Sequence, residues 1–152
     1  RVSVGRVLGA TTAQRLAVFL PAQLTSFTAS ADAVAVGGSG MGIQVTNALR
    51  SYRSSERELE VMIMGGPAVE ASAGFLFGGQ IPDVASATEV RRRFQLGRFR
   101  SLLKWSSETG ESEVSVLAGP YLVRATVRHA ASADDATTVA RALDIDAIAA
   151  MR

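Results

Sequence analysis

The chain has 152 residues, 47% of them hydrophobic and 20% charged, a balance that fits one folded domain burying roughly two-thirds of its unfolded surface and excludes an intrinsically disordered chain. Sixteen basic against 14 acidic side chains give a formal net charge of +2, with Lys104 the only lysine, so net charge by itself points to no particular partner. There is no cysteine, which excludes disulfides, thiolate nucleophiles and thiolate metal sites, and no apolar run reaches the ~18 residues of a spanning helix. The first residue is Arg1 rather than Met, from which we expect an initiator, signal peptide or upstream segment ahead of it.

Within Thr12 to Leu20 the apolar positions Leu16, Phe19 and Leu20 follow the i, i+3, i+4 spacing of a short amphipathic helix that Pro21 ends. Phe27 to Val36 alternates weakly and runs into Gly37-Gly-Ser-Gly-Met-Gly42, which is too glycine-rich for an element interior and predicts a loop or wide turn. Ile43, Val45, Asn47 and Leu49 alternate with polar or small residues, the signature of a strand whose buried face they form. Leu59, Val61 and Ile63 alternate with Glu58, Glu60, Met62 and Met64, so a second strand forms a hairpin with the first. Pro67 suits the first turn of a helix reaching about Phe77, and Glu70 lies near the positive end of its dipole.

Ile81 to Ser86 reads as loop and Arg91 to Phe99 as a basic segment. Strands are expected over Arg98 to Ser106, Val114 to Leu117 and Tyr121 to Arg128, with Pro120 interrupting the ladder. Asp134 and Asp135 open a closing helix whose apolar stripe includes Val139, Leu143, Ile145, Ile148 and Met151. Tight connections between consecutive strands call for antiparallel pairing. The expected fold is therefore a single α+β domain over residues 1–152: an antiparallel sheet of about six strands with two to three helices packed on one face.

None of the residue groupings carries strong chemistry. The glycine run lacks the Gly-Lys-Ser/Thr ending of a phosphate loop, and a strand rather than a helix follows it. His129 is the only histidine; Asp134 and Asp135 are near it in sequence, but no Gly-x-Ser-x-Gly elbow accompanies it, which weighs against a catalytic triad and a transition-metal site. Acidic groups at Glu56, Glu58 and Glu60 and at Glu108, Glu111 and Glu113 fall at turns or on strand faces where arginines can pair with them. We therefore assign no catalytic, cofactor or metal residue.

The sharpest local signal is Arg91, Arg92, Arg93, Arg98 and Arg100, interleaved with Phe94 and Phe99 and followed by Trp105. Such a run suits an anionic protein or lipid surface better than nucleic acid, and the bland reading is a solvated face over a small core. Met62 and Met64 would add an adaptable apolar patch if their side of the strand is uncovered. These residues, Arg91, Arg92, Arg93, Arg98, Phe99, Arg100, Met62 and Met64, are the candidate partner-binding set.

The motifs Phe19-Leu-Pro, Gly40-Met-Gly-Ile-Gln-Val, Thr109-Gly-Glu, Val114-Ser-Val-Leu-Ala-Gly and Ala-Leu-Asp-Ile-Asp-Ala-Ile-Ala-Ala-Met resemble those of an uncharacterised family of bacterial exported or lipoprotein-type domains. The element order is similar to the Mog1/PsbP-type sandwich, whose members mostly act as binding or assembly factors. The resemblance implies a non-enzymatic domain of the periplasm or cell envelope that engages a protein partner or its own copies. The alternative is a small-ligand binding domain or hydrolase-like enzyme with a pocket lined by Tyr52, Trp105 and Tyr121.

Overall fold

The computed structural model describes residues 11–40, 43–78 and 82–151; Met41, Gly42 and Ile81, which figure in the readings above, lie outside them. In chain order the elements are α1 (Thr12–Ala17), β1 (Gln23–Leu24), β2 (Phe27–Ala29), β3 (Val34–Gly40), β4 (Ile43–Ser54), β5 (Arg57–Gly65), α2 (Pro67–Phe77), β6 (Val84–Ala85), β7 (Glu89–Leu96), β8 (Phe99–Ser106), β9 (Glu111–Ala118), β10 (Tyr121–Arg128), α3 (Asp135–Ala142) and α4 (Ile145–Ala150). Among the described residues no helix is long and apolar enough to cross a membrane.

The expectation of about six strands is corrected. Among the described residues ten strands form one antiparallel sheet in the order β1-β2-β4-β5-β10-β9-β8-β7-β6, and β3 pairs with β4 beside β2. The additional strands are those whose sequence hides a two-residue period. Arg91 to Leu96 is most of β7, where three consecutive arginines, set on both faces, mask the alternation. The glycine run to Gly40 is the second half of β3, in register with β4 from Val34↔Leu49 to Gly40↔Ile43, because ladder pairing uses backbone groups and needs no side chain. Short β1, β2 and β6 complete the count.

The expectation that the helices share one face is also corrected. On one face Leu59, Val61, Ile63, Leu103, Val114, Val116, Val123, Ala125 and Val127 pack with Leu16 of α1, Val139 of α3 and Ile148 of α4 in the main core. Intervening residues on the same strands point the other way. Leu102 and Leu122 there form a second core with Val69, Leu76 and Phe77 of α2, with Met64 and Leu117 packed against it. The apolar run Tyr121-Leu122-Val123 is buried throughout, as a strand with helices on both sides requires.

The face assignment of β4 also differs from the expectation. Register puts Ala48 opposite Ile63 and Tyr52 opposite Leu59, so these residues line the main core, while Asn47 and Leu49 lie on the α2 side. Arg50 shares the core side with Ala48 but donates its guanidinium hydrogens to the carbonyls of Leu20 (2.8 Å) and Ala31 (3.0 Å). A charged residue can sit there because its long stem reaches backbone acceptors at the sheet margin.

Local devices fix the helix positions. Thr11 and Gln14 form a reciprocal capping box at α1. Pro67 occupies the first turn of α2 as expected. Ser112, fully buried, accepts from Ala136 N and donates to the Ala133 carbonyl (2.6 Å), seating α3 on β9. Gly119, at φ +61° in the β9–β10 turn, lies under α4; a Cβ there would come within 2.7 Å of the Ala149 carbonyl oxygen.

Candidate functional site

The arginine run is a hairpin rather than a continuous basic patch. β7 and β8 are joined by Gly97 and Arg98, with Gly97 at φ +62° as a tight primed turn requires. Alternation then divides the arginines. Arg91, Arg93 and Arg100 lie on the α2 side of the sheet, Arg92 on the main-core side, and Arg98 at the turn.

Most of this basic group is engaged within the chain. Arg93 pairs with Asp83 (3.0 Å) and donates to the Gly78 carbonyl (2.7 Å), while Arg100 donates to the Phe77 carbonyl (3.2 Å) and sits over the Phe77 ring. Two strands thus supply the cations that satisfy the end of α2, whose own last turn has no basic residue. Arg91 approaches the Pro82 carbonyl, and Arg92 pairs with Asp134 at 3.6 Å. Arg98 pairs with Asp146 at 3.1 Å and covers the ring of Phe99, itself buried in the main core. Exposure leaves Arg92 and Arg98 most available to an outside anion.

The α2 side of the sheet is graded. One register row runs Val34, Leu49, Met62, Arg124 and Ser115; the next runs Val36, Asn47, Met64, Leu122 and Leu117. Toward the other end the rows become Glu60, Thr126 and Glu113, then Glu58, Arg128 and Glu111. Here the acids meet cations from neighbouring strands: Glu113 with Arg124 (3.4 Å) and Lys104 (3.9 Å), Glu111 with Arg128 (3.5 Å), and Glu58 with Arg53 (3.9 Å). Paired in this way, the carboxylates form a solvated charge lattice. No group of three or more metal-ligating side chains occurs among the described residues.

At the apolar end α2 packs against Met64, while Val34 and Val36 remain 51% and 50% exposed and Leu49 and Met62 half-buried. The condition set for a methionine patch, a strand side left uncovered by a helix, is not met at Met64, which packs under α2, and Met62 is half-buried beside it; the exposed valines are further residues on the same side. A signal for them was available: Ala33 to Leu49 contains no charged residue. Among the described residues, no strand pairs with the outer edge of β3. That edge has neither charge nor proline, the usual defences of an unpaired strand.

The three aromatics proposed to line a pocket do not converge. Tyr52 and Tyr121 are 2% and 6% exposed in the main core, and Tyr121 lies against Gly65. The Tyr52 hydroxyl donates to the Pro21 carbonyl at 2.8 Å, and burial pushes its pKa up to about 12 against the smaller opposing pull of Arg50. Trp105 is on β8, with β5, β10 and β9 between it and β4, beside a shallow cavity of about 260 Å³ bordered by Glu89, Arg91, Lys104, Glu111 and Glu113. His129 is exposed at the end of β10 with φ +58°. Asp135 is engaged elsewhere, accepting from Ala131 N, Ser132 Oγ and Arg57.

No family model matches the chain, and no curated protein matches it. Among solved structures it is similar to a GTP binding regulator from Thermotoga maritima, with 11% sequence identity, 86% of this chain and 84% of that chain covered, and a TM-score of 0.50. At that identity the likeness is one of fold.

Proposed function

We propose that the chain is a non-enzymatic binding or assembly domain that engages an extended protein segment, from a partner or from its own copies, by adding a strand to β3. The observation carrying this reading is the open edge of Val34–Gly40 with its exposed Val34 and Val36. An unpaired strand offers a row of N–H and C=O groups that only another extended chain satisfies in full, and alternate side-chain contacts provide selectivity. The bacterial-envelope setting belongs to the same proposal and rests on the sequence resemblance. The arginines have a lesser part, because Arg93 and Arg100 hold the end of α2.

Capture from an extract of the native cells tests this reading with three baits. Wild type and Arg92→Glu should retain the same protein, whether a partner or untagged copies of the chain, and the double variant Val34→Lys/Val36→Lys should lose it by at least tenfold. Retention that survives both lysines, or that Arg92→Glu alone abolishes, overturns the assignment to β3. Equal melting temperatures for the three baits would show that the loss is local.

A further inference from the structure

We infer that the strand added to β3 is the β3 strand of a second copy, giving a twofold dimer with one continuous antiparallel sheet; this deepens the proposed function and rests on it. Three features of the chain single out a second copy. First, a twofold axis beside an edge strand brings that strand antiparallel to itself, so a charge at the axis would face its own copy and charges of one sign elsewhere on the strand would face one another. Val34–Gly40 has none, and the uncharged stretch extends from Ala33 through Leu49. Second, Val34 and Val36 lie on the same face of the sheet, in register with Leu49 and Asn47 of β4. Pairing two copies joins their half-exposed valines into a strip that runs on through Leu49 to Met62 in each, where β-branched cross-strand neighbours are favourable.

Third, the opposite edge is closed to the same contact. There β6 has only two residues, and Asp83 accepts from the backbone N–H and the guanidinium of Arg93. Glu89, Arg91 and Arg93 add charge along β7. A head-to-tail contact of β3 with β7 would generate an open fibre, whereas an isologous β3–β3 contact closes at two copies. With one bare and one guarded edge, assembly stops at the dimer.

Light scattering and sedimentation of the purified chain alone test the inference. Wild type should have twice the chain mass at micromolar to submillimolar concentration and a melting temperature that rises with concentration, and Val34→Lys/Val36→Lys should be a monomer whose melting temperature matches that of wild type diluted below its association range. Hydrogen exchange provides a second readout independent of the variant: β3 amides should exchange at least tenfold more slowly as wild-type concentration rises through the association range. A wild type that stays monomeric, a lysine variant that still dimerises, or β3 exchange independent of concentration each overturns the inference. If the pure chain is monomeric while extract capture of a different protein remains sensitive to the lysines, self-pairing fails and strand addition to β3 stands.

Discussion

The sheet ends in two edges built on opposite plans. At β7 the margin is crowded: a two-residue strand covers part of it, Asp83 reaches its backbone, and arginines alternate along it. At β3 the margin is bare among the described residues, and its order comes from beneath. Arg50 and Tyr52 of β4 bond the carbonyls of Leu20, Pro21 and Ala31, and α1 packs on β3 and β4. A guarded edge invests side chains in excluding other strands, whereas a bare edge stabilised from its core side leaves its outer hydrogen-bonding groups available. The distribution of support therefore distinguishes an edge kept from partners from one offered to them.

The largest expected effect comes from weakening the guarded margin. Arg93→Ala removes the Asp83 pair and the bond to the Gly78 carbonyl. Charged hydrogen bonds are worth ~1.5–3 kcal/mol, and partial exposure of this pair reduces the expected loss to about 1–2 kcal/mol. Urea titration should show that loss, and amides of β6 and β7 should exchange faster while those of β3 are unchanged. If β3 loosens equally, the two edges are not independently supported and the comparison fails.

Tyr52 tests the bare margin from below. Its folded pKa is above the unfolded value of 10, so the fold favours the neutral phenol. Its contribution to stability is complete below pH 10 and is lost as pH rises from 10 toward 12. Tyr52→Phe keeps the ring but removes the bond to Pro21, which should cost roughly 0.5–1.5 kcal/mol at neutral pH and flatten the alkaline decline. Denaturation midpoints from pH 8 to pH 11 read both effects. An alkaline decline of the same steepness in the phenylalanine variant would assign it to another group.

The same contrast explains what could be read from residues alone. β5, β8, β9 and β10 lie inside the sheet with a packed face, so burial imposes the alternation that Leu59, Val61 and Ile63 display. β7 and β3 are at the margins, where one has arginines on both faces and the other trades side chains for glycine after Val36, and neither sustains a period along its length. β4 misled because Leu49 is more apolar than Ala48, although Ala48 is the residue in the main core. The position of α2 was encoded in Leu102, Leu117 and Leu122, but only pairing reveals that they share a face. Of the residues on this side, Met62 and Met64 stand out in sequence by type, whereas Val34 and Val36 gain significance only from the place of β3 at the end of the sheet. The arginine run was prominent in sequence because its charges are consecutive, and its role is structural where strands and α2 bring carbonyls to it.

The smallest expected effect separates arginines within that run. Arg98 and Asp146 form a 3.1 Å ion pair, yet their side chains are 71% and 77% exposed. Water screens such a pair, and fixing two long side chains offsets much of the attraction. Arg98→Ala should therefore change stability by no more than about 0.5 kcal/mol, with little further change when salt is raised, in contrast to Arg93→Ala at the same hairpin. The guanidinium also covers the Phe99 ring at 4.6 Å, but Phe99 is held in the main core by its neighbours and should keep its place. A loss above 1 kcal/mol would mean that the turn, and not only the β7 margin, is part of the guard, and would extend the protected edge to the end of the hairpin.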